Sequence, residues 1–387
     1  MRTRPILTIA VLLAAAASAF AQDPPTLPAP IDPVAIGRSE FTGKWYGTVD
    51  FGGRVTSIDG DQARAQRYRD LRSGIYANNA VFGRRTESWT LEGQAWNIGY
   101  RDQRYQFDLD RVGRLRASFL YDQIPLWISA DTRTLYVENQ PGVFRLEDAM
   151  QQAIQAGQAT LHSYTDQAVR FDLETMRRIG QADVAFNATP NTAIVVNVKN
   201  TNRTGSIPFG GTFGFSNAVE LPMPLDHRTT DFRTALEWSN NKGLVRLGWD
   251  GSAFNNSIES VVWDNPLRFG PDIAGTPSQG RLASWPDNTL TYVHGTGAVN
   301  IPLNGRLTGY AAFGQGRNSQ DLLPHTINTA FVPPPPLSRT TAEAESQMAV
   351  AQFTAAMRPL PTRPNTRCAP ALVRSINRCS VSRPRAT

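Results

Sequence analysis

The chain has 387 residues, with 39 lysines and arginines against 33 aspartates and glutamates, which gives a net charge of +6. The positive excess lies at the two ends, since Arg2 and Arg4 precede an apolar run and every charged residue after Glu345 is an arginine. The body between these ends is mildly acidic. The composition therefore argues against a nucleic-acid-binding protein, which needs a basic stripe on a folded surface, and we expect no nucleic-acid partner.

The N-terminal segment 1–21 has the pattern of a secretory signal peptide. Two arginines are followed by an apolar run and an Ala-x-Ala motif, Ala19 to Ala21, which predicts cleavage before Gln22. The alternative, an uncleaved anchor, is disfavoured because the run is shorter than the roughly 20 residues of a spanning helix. No later segment is apolar enough for such a helix, so a membrane protein with this sequence has to be a β-barrel.

Residues 99–125 have the alternating pattern of a β-hairpin, with a turn at Gly113. The apolar set is Tyr105, Phe107, Leu109, Leu115, Ala117, Phe119 and Tyr121. The polar set is Arg104, Gln106, Asp108, Asp110, Arg114, Arg116 and Ser118. Side chains alternate between the faces of a strand, so the hairpin has one apolar and one polar face. A soluble sandwich and an outer-membrane barrel both accept this pattern, and the hairpin alone leaves both open.

Similar segments recur along the chain, separated by polar or Gly/Pro turns. They are Gly43–Phe51, Ser88–Tyr100, Gln103–Asp110, Arg114–Asp122, Gln181–Ala188, Thr192–Lys199, Asp231–Ser239, Gly243–Gly251, Thr289–Val299, Leu303–Phe313 and Gln347–Met357. Segments of this length fit a tilted crossing of a bilayer. We predict an all-β fold, an antiparallel transmembrane β-barrel with about 11–12 strands in this chain, long loops and one short loop helix.

The segments also contain aromatic residues, often near their ends, which predicts interfacial girdles. The predicted girdle residues are Trp45, Tyr46, Trp89, Trp96, Tyr100, Trp127, Trp238, Trp249, Trp263 and Tyr310. Ordinary packing in a soluble β protein is the alternative interpretation, and the high glycine and polar content of the strands disfavours it.

Three longer insertions interrupt the strands. Leu146–Gln155 has apolar residues at helical spacing and is predicted to be a short amphipathic helix. Gly205–Arg228 is predicted to be a Gly/Pro-rich excursion, and Leu322–Glu345 a stiff, polyproline-like loop.

The predicted domains are therefore the signal peptide 1–21, a Pro-rich linker 22–39, the barrel region 40–362 and a tail 363–387. The tail contains Cys368 and Cys379, which could form a disulfide in an exported chain. It lacks acids and is rich in Pro, Arg and Ser. We favour a non-native reading frame for this tail over a designed basic tail.

No catalytic or metal-binding motif is found. The histidines His162, His227, His294 and His325 are not at metal-ligand spacing, and there is no C-x-x-C-H motif for covalent haem. Nucleophile-elbow, zinc-protease and phosphate-loop motifs are also absent. Carboxylates such as Asp108 and Asp110 are interpreted as charge-paired lumen residues, not as a glycosidase pair. We predict a non-enzymatic chain whose only assigned site is the cleavage site at Ala19, Ala21 and Gln22.

Four stretches together resemble one family: "ARAQRYRDLRSG" (Ala63–Gly74), "NIGYRDQRYQFDLDRVGRLRASFLYDQIP" (Asn97–Pro125), "GWDGSAFNNSIESVVWDNP" (Gly248–Pro266) and "DLLPHTINTAF" (Asp321–Phe331). They are similar to the MtrB/PioB family of decahaem-associated outer-membrane β-barrels. The resemblance extends over roughly residues 43–357, and its motifs belong to strands and turns.

This resemblance implies a barrel in the bacterial outer membrane that sheaths a periplasmic decahaem c-type cytochrome. Electrons then cross the membrane to or from extracellular metals or an extracellular multihaem cytochrome. The resemblance also implies that the barrel itself binds no cofactor, since the haem is carried by the partner cytochrome.

Three departures leave alternatives open. The predicted strand number is about half that of the family's large barrels, and the chain ends Ala386-Thr387 instead of with an aromatic residue. The N-terminal C-x-x-C pair of some members is also absent. We therefore expect the chain to be the N-terminal part of a larger barrel. The alternatives are a small outer-membrane diffusion porin and a non-functional truncated fragment; an outer-membrane enzyme is the least favoured.

Overall fold

The computed structural model describes residues 43–213, 218–302 and 304–357, together with the backbone of residues 371–381. The strands are β1 (Trp45–Arg54), β2 (Gly74–Arg85), β3 (Trp89–Ile98), β4 (Arg104–Arg111), β5 (Leu115–Thr134), β6 (Val137–Gln140), β7 (Val143–Arg145), β8 (Val169–Thr189), β9 (Thr192–Thr212), β10 (Ala218–Ser239), β11 (Gly243–Asn256), β12 (Ser260–Asp264), β13 (Gln279–Ala283), β14 (Asn288–Ile301), β15 (Gly305–Asn318), β16 (Ala344–Ala356) and β17 (Ala371–Val381). The helices are α1 (Gln62–Ala65), α2 (Asp148–Gln155) and a 3-10 turn at Leu161–Gln167.

Most strands belong to one large antiparallel sheet. Its 13 strands follow the order β1-β2-β3-β4-β5-β8-β9-β10-β11-β14-β15-β16-β17, so each pairs with the next along the chain apart from the inserted strands. The inserted strands form a second sheet in the order β13-β12-β7-β6, with β12 and β7 parallel. The predicted antiparallel β fold is thus confirmed. In the ranges given above, no helix has the length and apolarity needed to cross a membrane.

The hairpin β4–β5 has the predicted register. Tyr105 lies opposite Tyr121 and Phe107 opposite Phe119, with ring centroids 6.2 and 6.3 Å apart. On the other face Asp110 lies opposite Arg116. The apolar residues therefore stack across the strands on one side, and the charged residues pair on the other.

The apolar side of this hairpin continues across the sheet, and we call it the apolar face. Directly opposite pairs continue it from strand to strand: Val198–Phe232 joins β9 to β10, Leu236–Leu247 joins β10 to β11, and Val293–Phe313 joins β14 to β15. Most of these large side chains are substantially exposed. Exposed apolar residues over so many strands match the lipid-facing surface of an outer-membrane barrel.

The girdle prediction is wrong for six residues, and for the other four, all tryptophans, a place in a girdle stays a prediction. Trp45, Trp89, Trp238 and Trp249 are exposed on the apolar face. Strand parity instead places Tyr46, Trp96 and Tyr310 on the opposite face. Tyr100, Trp127 and Trp263 are buried. Proximity to a strand end in the sequence does not specify the face, which depends on register.

The connections differ in length at the two ends of the large sheet. Short turns, such as 112–114, 190–191 and 240–242, join strands at what we call the turn end. The connections 55–73, 135–168, 257–287 and 319–343 lie at the other, the loop end. Short turns at one end and long loops at the other are typical of outer-membrane barrels, with the loops outside the cell.

Four strands extend further at the loop end than the sequence predicts. β5, β8, β9 and β10 have 20, 21, 21 and 22 residues. The predicted excursion Gly205–Arg228 is therefore wrong, because most of it is the paired end of β9 and β10, with Pro208 opposite Pro222. Prolines usually mark sheet edges, and they obscured an alternating apolar series at Leu221, Met223 and Leu225. Strand β2 was also missed, since Asn78 and Asn79 interrupt its alternation near a bulge in the β1–β2 register.

The loop predictions fare better. Helix α2 confirms the amphipathic helix, with Leu146 before it and Met150 within it buried. The segment 322–343 contains neither helix nor strand.

The assignments of the two ends of the chain remain largely predictions. The signal peptide with Ala19, Ala21 and Gln22, the linker 22–39 and Cys368 lie outside the described residues. In the segment assigned to the tail, the backbone Ala371–Val381 forms β17, which pairs with β16 and includes Cys379. The boundary at residue 362 and the origin of the tail stay predictions.

Candidate functional site

The side of the large sheet opposite the apolar face carries most of its charge, and we call it the polar face. Opposite charges face each other across neighbouring strands. Arg116 Nε lies 3.3 Å from Asp110 Oδ2, and Arg246 Nη1 lies 2.8 Å from Glu237 Oε1. Lysine and aspartate are likewise opposite at Lys199 and Asp231. The polar face is thus a wettable surface with internally compensated charge, as expected of a barrel interior.

Uncharged donors satisfy further carboxylates on this face. Tyr46 donates its hydroxyl to Glu92 Oε1 at 2.7 Å. Asp183 accepts hydrogen bonds from Asn197 Nδ2 at 2.5 Å and from Gln181 Nε2 at 2.7 Å. These bonds fix the carboxylates in place and reduce their tendency to attract a metal ion.

His294 is the centre of a small aromatic group on the polar face. Its ring centroid lies 5.9 Å from that of Tyr292 and 6.3 Å from that of Tyr310, and its Nε2 is 3.7 Å from Asp250 Oδ2. Within the described residues no three His, Cys, Asp or Glu side chains are grouped closely enough to hold a metal ion. The group offers polar contacts, and the described part of the chain supplies no metal centre.

The second sheet and α2 form a compact unit at the loop end, which we call the loop subdomain (residues 135–157 and 258–283). Its core of Phe144, Val261 and Trp263 packs against Leu221 and Met223 of β10. Leu221 and Met223 lie on the continuation of the polar face, which becomes apolar beyond Leu225. The loop subdomain therefore covers the interior side of the sheet at this end.

Asp264 connects the two loops that build this subdomain. It accepts hydrogen bonds from Arg145 Nη1 at 2.8 Å, the backbone N–H of Leu146 at 2.9 Å and Gln279 Nε2 at 2.9 Å. Tyr136 donates its hydroxyl to the Asp264 carbonyl oxygen at 2.8 Å. Burial and, secondly, the Asp264 charge raise the pKa of Tyr136, so the phenol stays a donor.

A second charged cluster lies where the 55–73 loop meets β5 and β8. Asp70 accepts two hydrogen bonds from Arg72 Nε, at 2.9 and 2.8 Å, and one from the backbone N–H of Arg101 at 3.0 Å. Burial opposes ionisation, but these hydrogen bonds prevail and lower the pKa of Asp70. Arg101 also forms two hydrogen bonds to Glu174 and lies over Trp127.

Neither of these two clusters is predicted by the sequence. Asp70 and Arg72 lie in the first stretch that carried the family resemblance, and Asp264 lies in the third. The missed signal is a carboxylate next to buried apolar residues, as in Trp263-Asp264. Such a carboxylate has to be paired inside the fold.

An exposed apolar face, a polar face of paired charges and long loops at one end define an outer-membrane protein of the porin type. The family "Putative outer membrane beta-barrel porin, MtrB/PioB" matches residues 57–363. The chain therefore belongs to the MtrB/PioB family and is located in the outer membrane, as the sequence predicts.

Solved structures give distant similarities. The chain is similar to a loop L8 deletion mutant of OmpT from Vibrio cholerae, with 11% identity, a TM-score of 0.28, and coverage of 81% of this chain and 89% of that one. The trimer form of OmpT from Vibrio cholerae has 9% identity to this chain and a TM-score of 0.29, and the match covers 80% of this chain and 84% of that one. A deltaS2 mutant of the TodX monoaromatic hydrocarbon channel has 9% identity and a TM-score of 0.25, and the match covers 80% of this chain and 81% of that one. No curated protein matches.

Proposed function

We propose that this chain forms part of the wall of an outer-membrane conduit that sheaths a periplasmic multihaem c-type cytochrome. Electrons would pass through the haems of that partner, and the chain would insulate them from lipid. Membership of the MtrB/PioB family carries this proposal. The family resemblance supplies the decahaem cytochrome as partner, with an extracellular multihaem cytochrome as a second one.

The polar face supports an interior occupied by a protein. Its charges are largely compensated within the sheet, as at Asp110–Arg116 and Glu237–Arg246. A partner can therefore approach without stripping water from many isolated charges, which would cost several kcal/mol each. Side chains such as Gln106 and Asn197 offer donors and acceptors for the wet contacts of such an interface.

Co-purification with a cytochrome tests the proposal. The full chain, tagged, would be expressed with a decahaem c-type cytochrome in a host that matures c-type haem, and purified from outer membranes. We expect haem absorbance to elute with the chain, and not with an unrelated porin of the host carrying the same tag.

A functional assay follows in vesicles loaded with reduced methyl viologen and exposed to external ferric citrate. Dye oxidation should require the chain and the cytochrome together. Ion conductance by the chain alone, combined with failure to retain the cytochrome, would overturn the proposal and favour the diffusion porin.

A further inference from the structure

Two arginines lie directly opposite each other on the polar face. Arg177 of β8 faces Arg203 of β9, and Arg203 faces His227 of β10. Directly opposite side chains on antiparallel strands have Cβ atoms about 4.5–5.5 Å apart. Three nitrogen-bearing side chains thus form one row across three strands.

This row departs from the charge pairing on the rest of the face. Several basic residues there lie opposite acids, as at Asp110–Arg116 and Glu237–Arg246. Elsewhere in the sheet Arg133 lies opposite Arg170, but Asp131 relieves that pair with a 2.7 Å ion pair to Arg170. Like charges that face each other without such relief destabilise a sheet.

No carboxylate compensates Arg177 and Arg203 within the described residues, where neither forms an ion pair. Their nearest same-face neighbours along β8 and β9 are uncharged: Thr175, Ile179, Thr201 and Gly205. Asp122, an acid on this face, lies diagonally from Arg177 and directly opposite Arg104. Two guanidinium groups therefore remain available for an external anion.

The row lies at the edge of the loop subdomain. Two residues further along β9, on the same face, Gly205 lies opposite the buried Leu225, where the polar face becomes apolar. His227 bounds the row, with its ring 5.2 Å from Phe254 and 5.0 Å from Trp285, and its buried Nε2 has no hydrogen-bond partner. Arg177 is exposed, whereas Arg203 and His227 are partly buried, so an anion bound here would be shielded from water on the side of Arg203 and His227, which strengthens its contact with the Arg203 guanidinium group.

We propose that Arg177 and Arg203 form a carboxylate-binding site on the polar face. The carboxylate would come from the protein that fills the interior or from a free organic acid. The first source rests on the proposed function, and the second is independent of it. Guanidinium groups bind carboxylates through paired, charge-assisted hydrogen bonds.

Citrate is the probe for the free acid. The full chain, refolded in detergent micelles at low ionic strength, would be titrated with citrate by calorimetry. The double variant Arg177→Gln/Arg203→Gln should bind citrate about tenfold or more weakly. The control Arg116→Gln/Arg246→Gln removes the same charge from the same face, but from arginines that already have partners, and should change affinity less than about twofold.

The salt concentration that releases the co-purified cytochrome is the second readout. A lower concentration for the Arg177/Arg203 variant than for the control assigns the carboxylate to the partner protein. A change in citrate affinity alone assigns the carboxylate to a free acid. This assignment holds even if the chain binds no cytochrome. Equal behaviour of the two double variants in both readouts would overturn the site. Thermal unfolding provides the folding check: loss of a like-charge pair should not lower the midpoint.

Discussion

Arg145 and Asp264 are 119 residues apart in the chain, yet Arg145 Nη1 donates a 2.8 Å hydrogen bond to Asp264 Oδ1. The Asp264 side chain is only 8% exposed. The pair joins the 135–168 connection to the 257–287 connection, so one buried carboxylate organises two loops. Because removal of one partner leaves a buried charge uncompensated, such a pair is sensitive to single substitutions.

We expect Asp264→Ala to destabilise the loop subdomain by about 1–3 kcal/mol, since the buried Leu146 N–H loses its acceptor, whereas Arg145, 39% exposed, can turn to water. Protease accessibility of residues 135–157 and 258–283 would measure this. The exposed Asp131–Arg170 pair supplies the control, and Asp131→Ala should cost about 0–1 kcal/mol. Equal protection of both variants would contradict a central role for Asp264.

The indole of Trp263 is enclosed by two glycines. A Cβ added at Gly280 would lie 2.5 Å from Trp263 Cε2, and one at Gly211 would lie 2.6 Å from the same atom. Gly280→Ala should therefore overpack the core and destabilise the loop subdomain by about 1–3 kcal/mol. Gly275→Ala is the control, because no atom lies within 4 Å of its added Cβ. Hydrogen exchange of β12 would separate the two variants, and equal exchange would show that the indole can shift.

The two faces of β4 give a third prediction. Phe107 is on the apolar face and its neighbour Gln106 is on the polar face. Phe107→Lys should lower the free energy of unfolding in phosphatidylcholine vesicles by about 2–4 kcal/mol, the cost of a lysine on the lipid-facing side in the middle of a strand. Gln106→Lys adds the same charge to the wet side and should change stability much less. Urea titration of refolding measures both, and the reverse order would invert the assignment of the faces.

Period-2 alternation predicted the large sheet well, because that sheet exposes one face to lipid and one to water along its whole width. Phe107 and Asp108 are an example, because these adjacent residues lie on the apolar and the polar face. The same rule failed at the loop end of β9 and β10. There Leu221, Met223 and Leu225 alternate but face a protein core, and the prolines between them resemble loop residues.

The candidate sites were less predictable, because they depend on which strands become neighbours. Arg177 and Arg203 are ordinary polar-face residues in the sequence, and only the β8–β9 register makes them a like-charge pair. Arg145 and Asp264 required two distant loops to meet. The faces of a strand can be predicted from a single sequence, but the long-range contacts between irregular loops cannot.

The final prediction concerns pH and the contact between two long loops. Asp272 accepts hydrogen bonds from the backbone N–H groups of Ser278, at 2.7 Å, and Thr329, at 2.8 Å, and from Thr329 Oγ1 at 2.8 Å. Burial alone would raise its pKa, but these hydrogen bonds outweigh burial and lower the pKa of Asp272 to about 2. Asp272 thus ties residue 329 of the 319–343 connection to the loop subdomain.

A carboxyl whose pKa is lower in the folded state stabilises that state above the unfolded pKa of about 3.9. The stabilisation is lost as the pH falls towards the folded value. We therefore expect the 319–343 segment to become susceptible to pepsin between about pH 4 and pH 2. Asp272→Asn should weaken this dependence and raise susceptibility at pH 4. Thr329→Val removes one hydroxyl donor to Asp272, so the 319–343 segment should become susceptible to pepsin at a higher pH than in the wild type. An Asp272→Asn variant with the wild-type pH profile would assign the acid sensitivity to other carboxylates.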